Sequence, residues 1–304
     1  MRDVSVAMIG ETIIDYDACG EGPPLVLIGG LGFGRWAWFR QVPAFSRHFR
    51  TITFDVRGER TLDGGVADLA GEVVGLLEHL KVRRAHILGT SLGGFVAQHL
   101  ALERPEMVDR LVLIGTSYGR GGPQTMSAGA LADMFGWGSL TAEGATRRGL
   151  ETATSESYRE KNPEEFERLV RWRMADAPSS ASYREQARAG AGFDISGEVW
   201  RIGASALVLH GAEDRYVPLA NAVALAEALP DARLRVLDRA GHLVFIERYA
   251  DVNREVVTFL KRGDRRRERK GRREETRGGA AAGRIRGVLR EGWRGVERLW
   301  TGPS

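Results

Sequence analysis

The chain has 304 residues, 43% of them hydrophobic, with 39 glycines and one cysteine, enough apolar material for a large α/β domain and an appendage. A lone cysteine excludes an intrachain disulfide and a cysteine-built metal cluster and suits a reducing, cytoplasmic compartment; no segment has the roughly 18 apolar residues of a membrane span, and the N-terminal stretch lacks a secretion signal's apolar run. The net charge of +4 joins two unlike parts: residues 261–304 carry 15 basic and 6 acidic side chains, which leaves 29 and 34 in residues 1–260.

In chain order, Val4–Ile9 and Thr12–Tyr16 have the pattern of an opening hairpin. Leu25–Ile28, Thr51–Phe54, Ala85–Leu88 and Leu111–Ile114 are short runs apolar enough to be buried on both faces. Between them, Asp63–Leu80 places Val66, Leu69, Ala70, Val73, Val74, Leu76, Leu77 and Leu80 at helical spacing. Ala206–Leu209 and Leu234–Leu237 supply the last strands, with helices over Leu219–Leu229 and about Tyr249–Leu260. The alternation predicts an α/β fold: a mostly parallel sheet of about eight strands with helices on both faces. Residues 119–198 break the rhythm with a Gly-rich start, helices such as Pro163–Met174 and no buried strand, and are expected to form a helical lid. The core is then 1–118 with 199–261, and 262–304 is a basic, partly amphipathic tail.

The strongest chemical signal is Gly89-Thr90-Ser91-Leu92-Gly93-Gly94, between the strand AHIL and the helical pattern FVAQHLALERP. At such a strand-to-helix turn, glycines give the backbone room and the serine hydroxyl stands above the sheet edge. The turn also aims helical amides at the site, so the Leu92 N–H can stabilise an oxyanion. A serine hydroxyl is scarcely ionised at neutral pH and needs a base. His86 lies in a strand, His99 in a helix, His48 and His79 near helix ends, and His210 at a strand end. His242 sits in a loop after the last strand, at the carboxyl edge where ligand groups collect in such sheets. The partner that orients it should be a carboxylate at another strand end. Asp214 in GAEDRYVP fits, with Glu213 as its rival. Ser91, Asp214, His242 is also the chain order of hydrolases with such an elbow.

From about Val4 to Leu260 the chain resembles the α/β-hydrolase family: the elbow GTSLGG, the acid loop GAEDRYVP and the base loop AGHLVFIE stand at matching stations. LIGGLGFGRWAWFRQVPAFSRHFRTITFDVRG looks like the enol-lactonase and small carboxylesterase branch. The resemblance implies the Leu31 N–H as a second oxyanion donor beside that of Leu92. Two features depart from the family's pattern. Gly29-Gly30 stand where the family often has His-Gly, which removes a side chain able to brace the oxyanion loop. After Asp55-Val56-Arg57-Gly58, the usual G-x-S is replaced by Glu59-Arg60-Thr61-Leu62.

The expected reaction is cleavage of a carboxylic ester or lactone of a small to medium acyl substrate through an acyl-enzyme on Ser91. An acyltransferase, a perhydrolase or a C–C bond hydrolase could use the same triad, and a non-catalytic ligand-binding member of the fold is the alternative from another class. Gly30, Trp137, Trp172 and Phe193 are candidate substrate contacts, and Tyr158 and Tyr183 join them as possible pocket walls. Phosphate loops of the GxGxxG type and the metal spacing H-E-x-x-H are absent from the sequence, so no cofactor and no metal is expected. In the tail, Arg265–Arg277 is dense in like charge, and Arg284–Trp300 spaces apolar residues helically among arginines. That pattern suits a solvated extension or a peripheral contact with an anionic membrane. It carries no nucleic-acid-binding motif, and the body is acidic, so nucleic acid is not an expected partner.

Overall fold

The computed structural model describes residues 5–57, 61–136, 138 and 141–262. Eight strands form one sheet: β1 (Ser5–Ile9), β2 (Thr12–Cys19), β3 (Pro24–Ile28), β4 (Arg50–Arg57), β5 (Ala85–Thr90), β6 (Val108–Ile114), β7 (Ser205–Gly211) and β8 (Ala232–Leu237). Their spatial order is β1-β2-β4-β3-β5-β6-β7-β8. β2 runs antiparallel to β1 and β4, and the remaining neighbours are parallel.

The central strands are apolar because both faces of the sheet are covered. Val26, Ile87, Leu111 and Val208 join one buried layer, while Leu25, Leu88, Val112 and Leu207, which alternate with them, are also buried. Each fully buried leucine or valine contributes about 1.5–3 kcal/mol relative to exposure. The first layer includes the buried faces of α2 (Val66–His79) and α3 (Leu92–Glu103). Short α1 (Val42–Phe45) precedes them. The hairpin forms as expected, but β2 continues past Tyr16 to Cys19, because the ladder with β4 persists beyond the apolar run through Asp17↔Thr53 and Cys19↔Thr51. Arg35 bonds Asp17 and Asp55 there.

Among the described residues five α-helices lie between β6 and β7: α4 (Ala128–Met134), α5 (Ala142–Ala153), α6 (Glu156–Lys161), α7 (Pro163–Ala175) and α8 (Ser180–Gly192). Their starts are written locally. Ser127, Thr141, Ser155 and Ser179 each accept a first-turn amide with the side chain, and α7 begins with proline, which has no amide hydrogen to leave unsatisfied. Among the described residues of this insertion the only extended pairing is the bridge Gly119↔Asp194. α9 (Leu219–Ala228) packs on β7 and β8, and α10 (Val244–Glu247) follows the loop after β8.

By its contacts the chain divides into 1–257 and 258–304. Helical residues run from 249 to the end of the first unit, and 258–262 of the second are also helical. The rest of the basic tail lies outside the described residues. Among the described residues no helix is long and apolar enough to cross a membrane.

Candidate active site

β5 ends at Thr90 and α3 starts at Leu92, so one residue must turn the chain. Ser91 does so at φ +52°, ψ −118°, a conformation that costs a non-glycine residue about 1–3 kcal/mol. The surroundings hold it: the Ser91 amide donates to Ile114 O at 2.9 Å, and Ser91 O accepts from Gly94 N and Thr116 Oγ1, both at 2.9 Å. The glycines answer to close approach. A Cβ on Gly89 would stand 2.1 Å from Gly93 O, and one on Gly93 would stand 2.2 Å from Ile28 O. The Ser91 side chain is thereby presented, half-buried, at the carboxyl edge of the sheet.

Asp214 follows β7. Its Oδ1 accepts from the Tyr216 and Val217 amides at 2.9 Å each, and its Oδ2 accepts from His242 Nδ1 at 2.8 Å. The Asp214 side chain is fully buried and that of His242 is 8% exposed. With its proton on Nδ1, His242 keeps Nε2 free to take one. Tyr216 meets the imidazole edge-on, ring centroids 5.4 Å apart, and its hydroxyl donates to Gly149 O of α5 at 2.9 Å. Glu213, the rival carboxylate, is exposed.

Ser91 and His242 line one cavity of about 500 Å³, together with Gly30, Leu31, Tyr183 and Tyr216. Gly30 abuts the nucleophile candidate, since a Cβ there would lie 3.1 Å from that of Ser91. Leu92 occupies the first turn of α3, whose leading amides have no partner within the helix. Trp172 and Phe193 are not among the cavity's lining residues. Trp172 packs on Phe39 and Trp36, with centroids 5.0 and 6.1 Å away, and Phe193 stacks on Phe95 at 4.6 Å. Both correct the expectation of pocket contacts: each ring packs on neighbouring aromatics, in arrangements that ring quadrupoles favour, instead of facing the cavity. Trp137 lies outside the described residues. Among the described residues no three His, Cys, Asp or Glu side chains are grouped to hold a metal ion.

Four polar side chains around the site have roles that the sequence does not announce. His210, fully buried, donates from Nε2 to Val217 O at 2.8 Å and lies 3.4 Å from Asp214 Oδ2. Burial lowers its pKa, Asp214 opposing, so a neutral imidazole flanks the carboxylate. Arg173 of α7 lines the cavity. Its Nη2 donates to Leu31 O at 3.2 Å, its guanidinium lies 4.6 Å over the Phe33 ring, and Nη1 is buried without a partner among the described residues. Burial lowers the Arg173 pKa, opposed by Tyr183, Tyr216 and Asp176. Gln186 of α8 accepts from Gly32 N at 3.0 Å. The hint for Arg173 and Gln186 is helical phase, since each continues a buried stripe, Phe166-Leu169-Val170 and Ser182-Ala189.

The fourth, Glu247, ties the base loop to the insertion. It accepts from Gly241 N at 2.9 Å, Ser155 N at 3.0 Å and Ser155 Oγ at 2.6 Å. Burial raises its pKa against those three donors. Replacing Glu247 with alanine strands the donors and is expected to lower unfolding stability by about 1–3 kcal/mol. Urea titration measures the loss, and kcat falls with it because Gly241 adjoins His242.

A half-buried hydroxyl on a strained turn and a carboxylate-held imidazole on the wall of the same cavity are groups that nucleophilic acyl transfer can use. Comparison with known proteins agrees at the level of family. Residues 23–249 match the alpha/beta hydrolase fold family. A RutD protein of Agrobacterium fabrum, named as a carbamate hydrolase, is 29% identical over 79% of this chain and 94% of its own length. The 2-hydroxy-6-oxo-6-phenylhexa-2,4-dienoate hydrolase of Comamonas testosteroni is 28% identical over 85% and 94%. The enol-lactonase structure from Burkholderia xenovorans superposes with a TM-score of 0.74 and 27% identity, covering 84% of this chain and all of that one. The chain is a hydrolase of the α/β-hydrolase fold family.

Proposed function

We propose that the protein is a serine hydrolase that cleaves a carboxylic ester or lactone through an acyl-enzyme on Ser91. The observation that carries this reading is the 2.8 Å bond from His242 Nδ1 to Asp214 Oδ2 on the wall of the cavity that Ser91 also lines. His242 Nε2 takes the Ser91 proton as Oγ attacks the carbonyl. The Leu31 and Leu92 amides hold the oxyanion, and His242 returns the proton to the departing alkoxide. A water activated by the same imidazole then releases the acid. The helical insertion serves as the lid over this cavity. The likeness to an enol-lactonase supports a lactone or ester as the substrate.

Arg173 narrows the substrate class. A guanidinium lines the cavity, and among the described residues no carboxylate comes within ion-pair distance of it, Asp176 acting on it from farther away. Desolvating an unpaired charge is unfavourable, and an entering anion offsets that cost. The substrate is therefore an ester or lactone that carries a carboxylate. Matched 4-nitrophenyl esters of butyric acid and of glutaric acid, the latter with a free second carboxylate, test both parts. Turnover with an acyl group trapped on the Ser91 peptide supports the reaction. Cleavage of a 2-hydroxy-6-oxodienoate without any ester or lactone turnover would replace it with C–C hydrolysis. Arg173→Met is expected to raise KM for the anionic ester about 10-fold or more and to leave that of the neutral ester within about threefold. Equal KM changes for the two esters would remove the anion from the substrate description.

A further inference from the structure

The loop that carries Leu31 is a four-residue turn. Gly30 O accepts from Phe33 N at 3.0 Å, and Gly32 has φ +65° whereas Leu31 does not have a positive φ. A positive φ confined to the third position marks a type II turn, whose central peptide, here between Leu31 and Gly32, is flipped relative to type I. Both polar groups of that peptide are taken by the helical insertion. Leu31 O accepts from Arg173 Nη2 of α7 at 3.2 Å, and Gly32 N donates to Gln186 Oε1 of α8 at 3.0 Å. The fit leaves little slack, since a Cβ on Gly32 would stand 2.5 Å from Arg173 Nη2 and 2.9 Å from the Tyr183 ring. The other end of the Gln186 amide lies 3.4 Å from Ser182 Oγ on the same helix.

Gly29 and Gly30 lead into this turn, so neither carries a side chain that could brace it from within the core. We propose that the insertion supplies the brace instead. Gln186 and Arg173 are positioning residues that clamp the Leu31–Gly32 peptide and so hold the neighbouring Leu31 amide where an oxyanion forms. Oxyanion stabilisation is then complete only while α7 and α8 are seated on the turn, which makes catalysis conditional on closure of the insertion. An oxyanion donor acts within a narrow distance range, about 2.7–3.1 Å from the oxygen, and a misplacement of about 1 Å can cost about 10²-fold in rate. Because the clamp acts through the Leu31 amide, its loss falls on the transition state. The inference rests on the acyl-transfer reading of Ser91.

The test compares wild type with Gln186→Met, which keeps the side-chain length and loses the acceptor. Arg173→Met frees the carbonyl side of the same peptide and stands in should the first variant fail to fold, which thermal unfolding reports. Two quantities are measured: kinetics on a neutral ester, and affinity for an alkylboronic acid that forms a tetrahedral adduct with Ser91. In each variant kcat and boronate affinity are expected to fall together, about 10- to 100-fold, with KM within about threefold. Boronate affinity equal to that of wild type in a folded variant overturns the brace while leaving the Ser91 reaction standing. A wild-type protein that forms no Ser91 adduct overturns the acyl-transfer reading, and the brace with it.

Discussion

Replacing Ser91 with alanine is expected to lower kcat by about 10⁴- to 10⁶-fold while leaving the protein folded. In the proposed mechanism the hydroxyl forms the covalent bond, and the remaining amide donors and cavity can supply only the part of the acceleration that needs no nucleophile. Stability should change little. The backbone bonds of residue 91, to Ile114 O, Gly94 N and Thr116 Oγ1, survive the substitution, and alanine meets the same steric cost at φ +52° as serine. Labelling with a fluorophosphonate followed by peptide mapping checks the assignment independently of any substrate. Wild type should be modified at Ser91 and the variant left unlabelled; full turnover by the variant would sink the mechanism.

Asp214→Asn is expected to cost about 10³- to 10⁴-fold in kcat/KM with the fold intact. The carboxylate uses its two oxygens differently. Oδ1 accepts two backbone amides, from Tyr216 and Val217, and Oδ2 accepts from His242 Nδ1. An asparagine keeps its oxygen against the two amides, where a donor would be repelled, and so turns its NH₂ toward His242. The imidazole then accepts at Nδ1 and carries its proton on Nε2, the nitrogen that must be bare to receive one from serine. Ester kinetics and the rate of fluorophosphonate labelling should fall in parallel. A loss smaller than about tenfold would mean that another group orients the base.

The sheet and the three side chains of the proposed triad were legible because each is a local pattern. The β5-turn-α3 segment, the carboxylate loop after β7 and the histidine loop after β8 each announce themselves within a few residues. The bracing groups are not local. Arg173 and Leu31 are 142 residues apart, Gln186 and Gly32 are 154 apart, and Glu247 and Ser155 are 92 apart, so no window along the chain contains both partners. Of the aromatic residues expected to wall the pocket, Tyr183 lines the cavity, and Trp172 misses it on helical phase. Successive residues of a helix point about 100° apart, which sends Trp172 onto Phe39 and Trp36 while its neighbour Arg173 reaches the cavity. The polar character of that wall follows from one step along α7.

The dihedral angles of Ser91 also limit which nucleophiles this scaffold could ever adopt. At φ +52° a residue with an unbranched β-carbon can stand, at a cost that the neighbouring bonds absorb, but a β-branched one is a steric outlier. Threonine, although it carries the same hydroxyl, is thereby barred from the elbow. Cysteine and aspartate are not barred, so this backbone could present sulfur or a carboxylate oxygen in place of the proposed hydroxyl nucleophile through a single substitution. Diversification of the chemistry at position 91 is channelled by torsional strain rather than by reactivity.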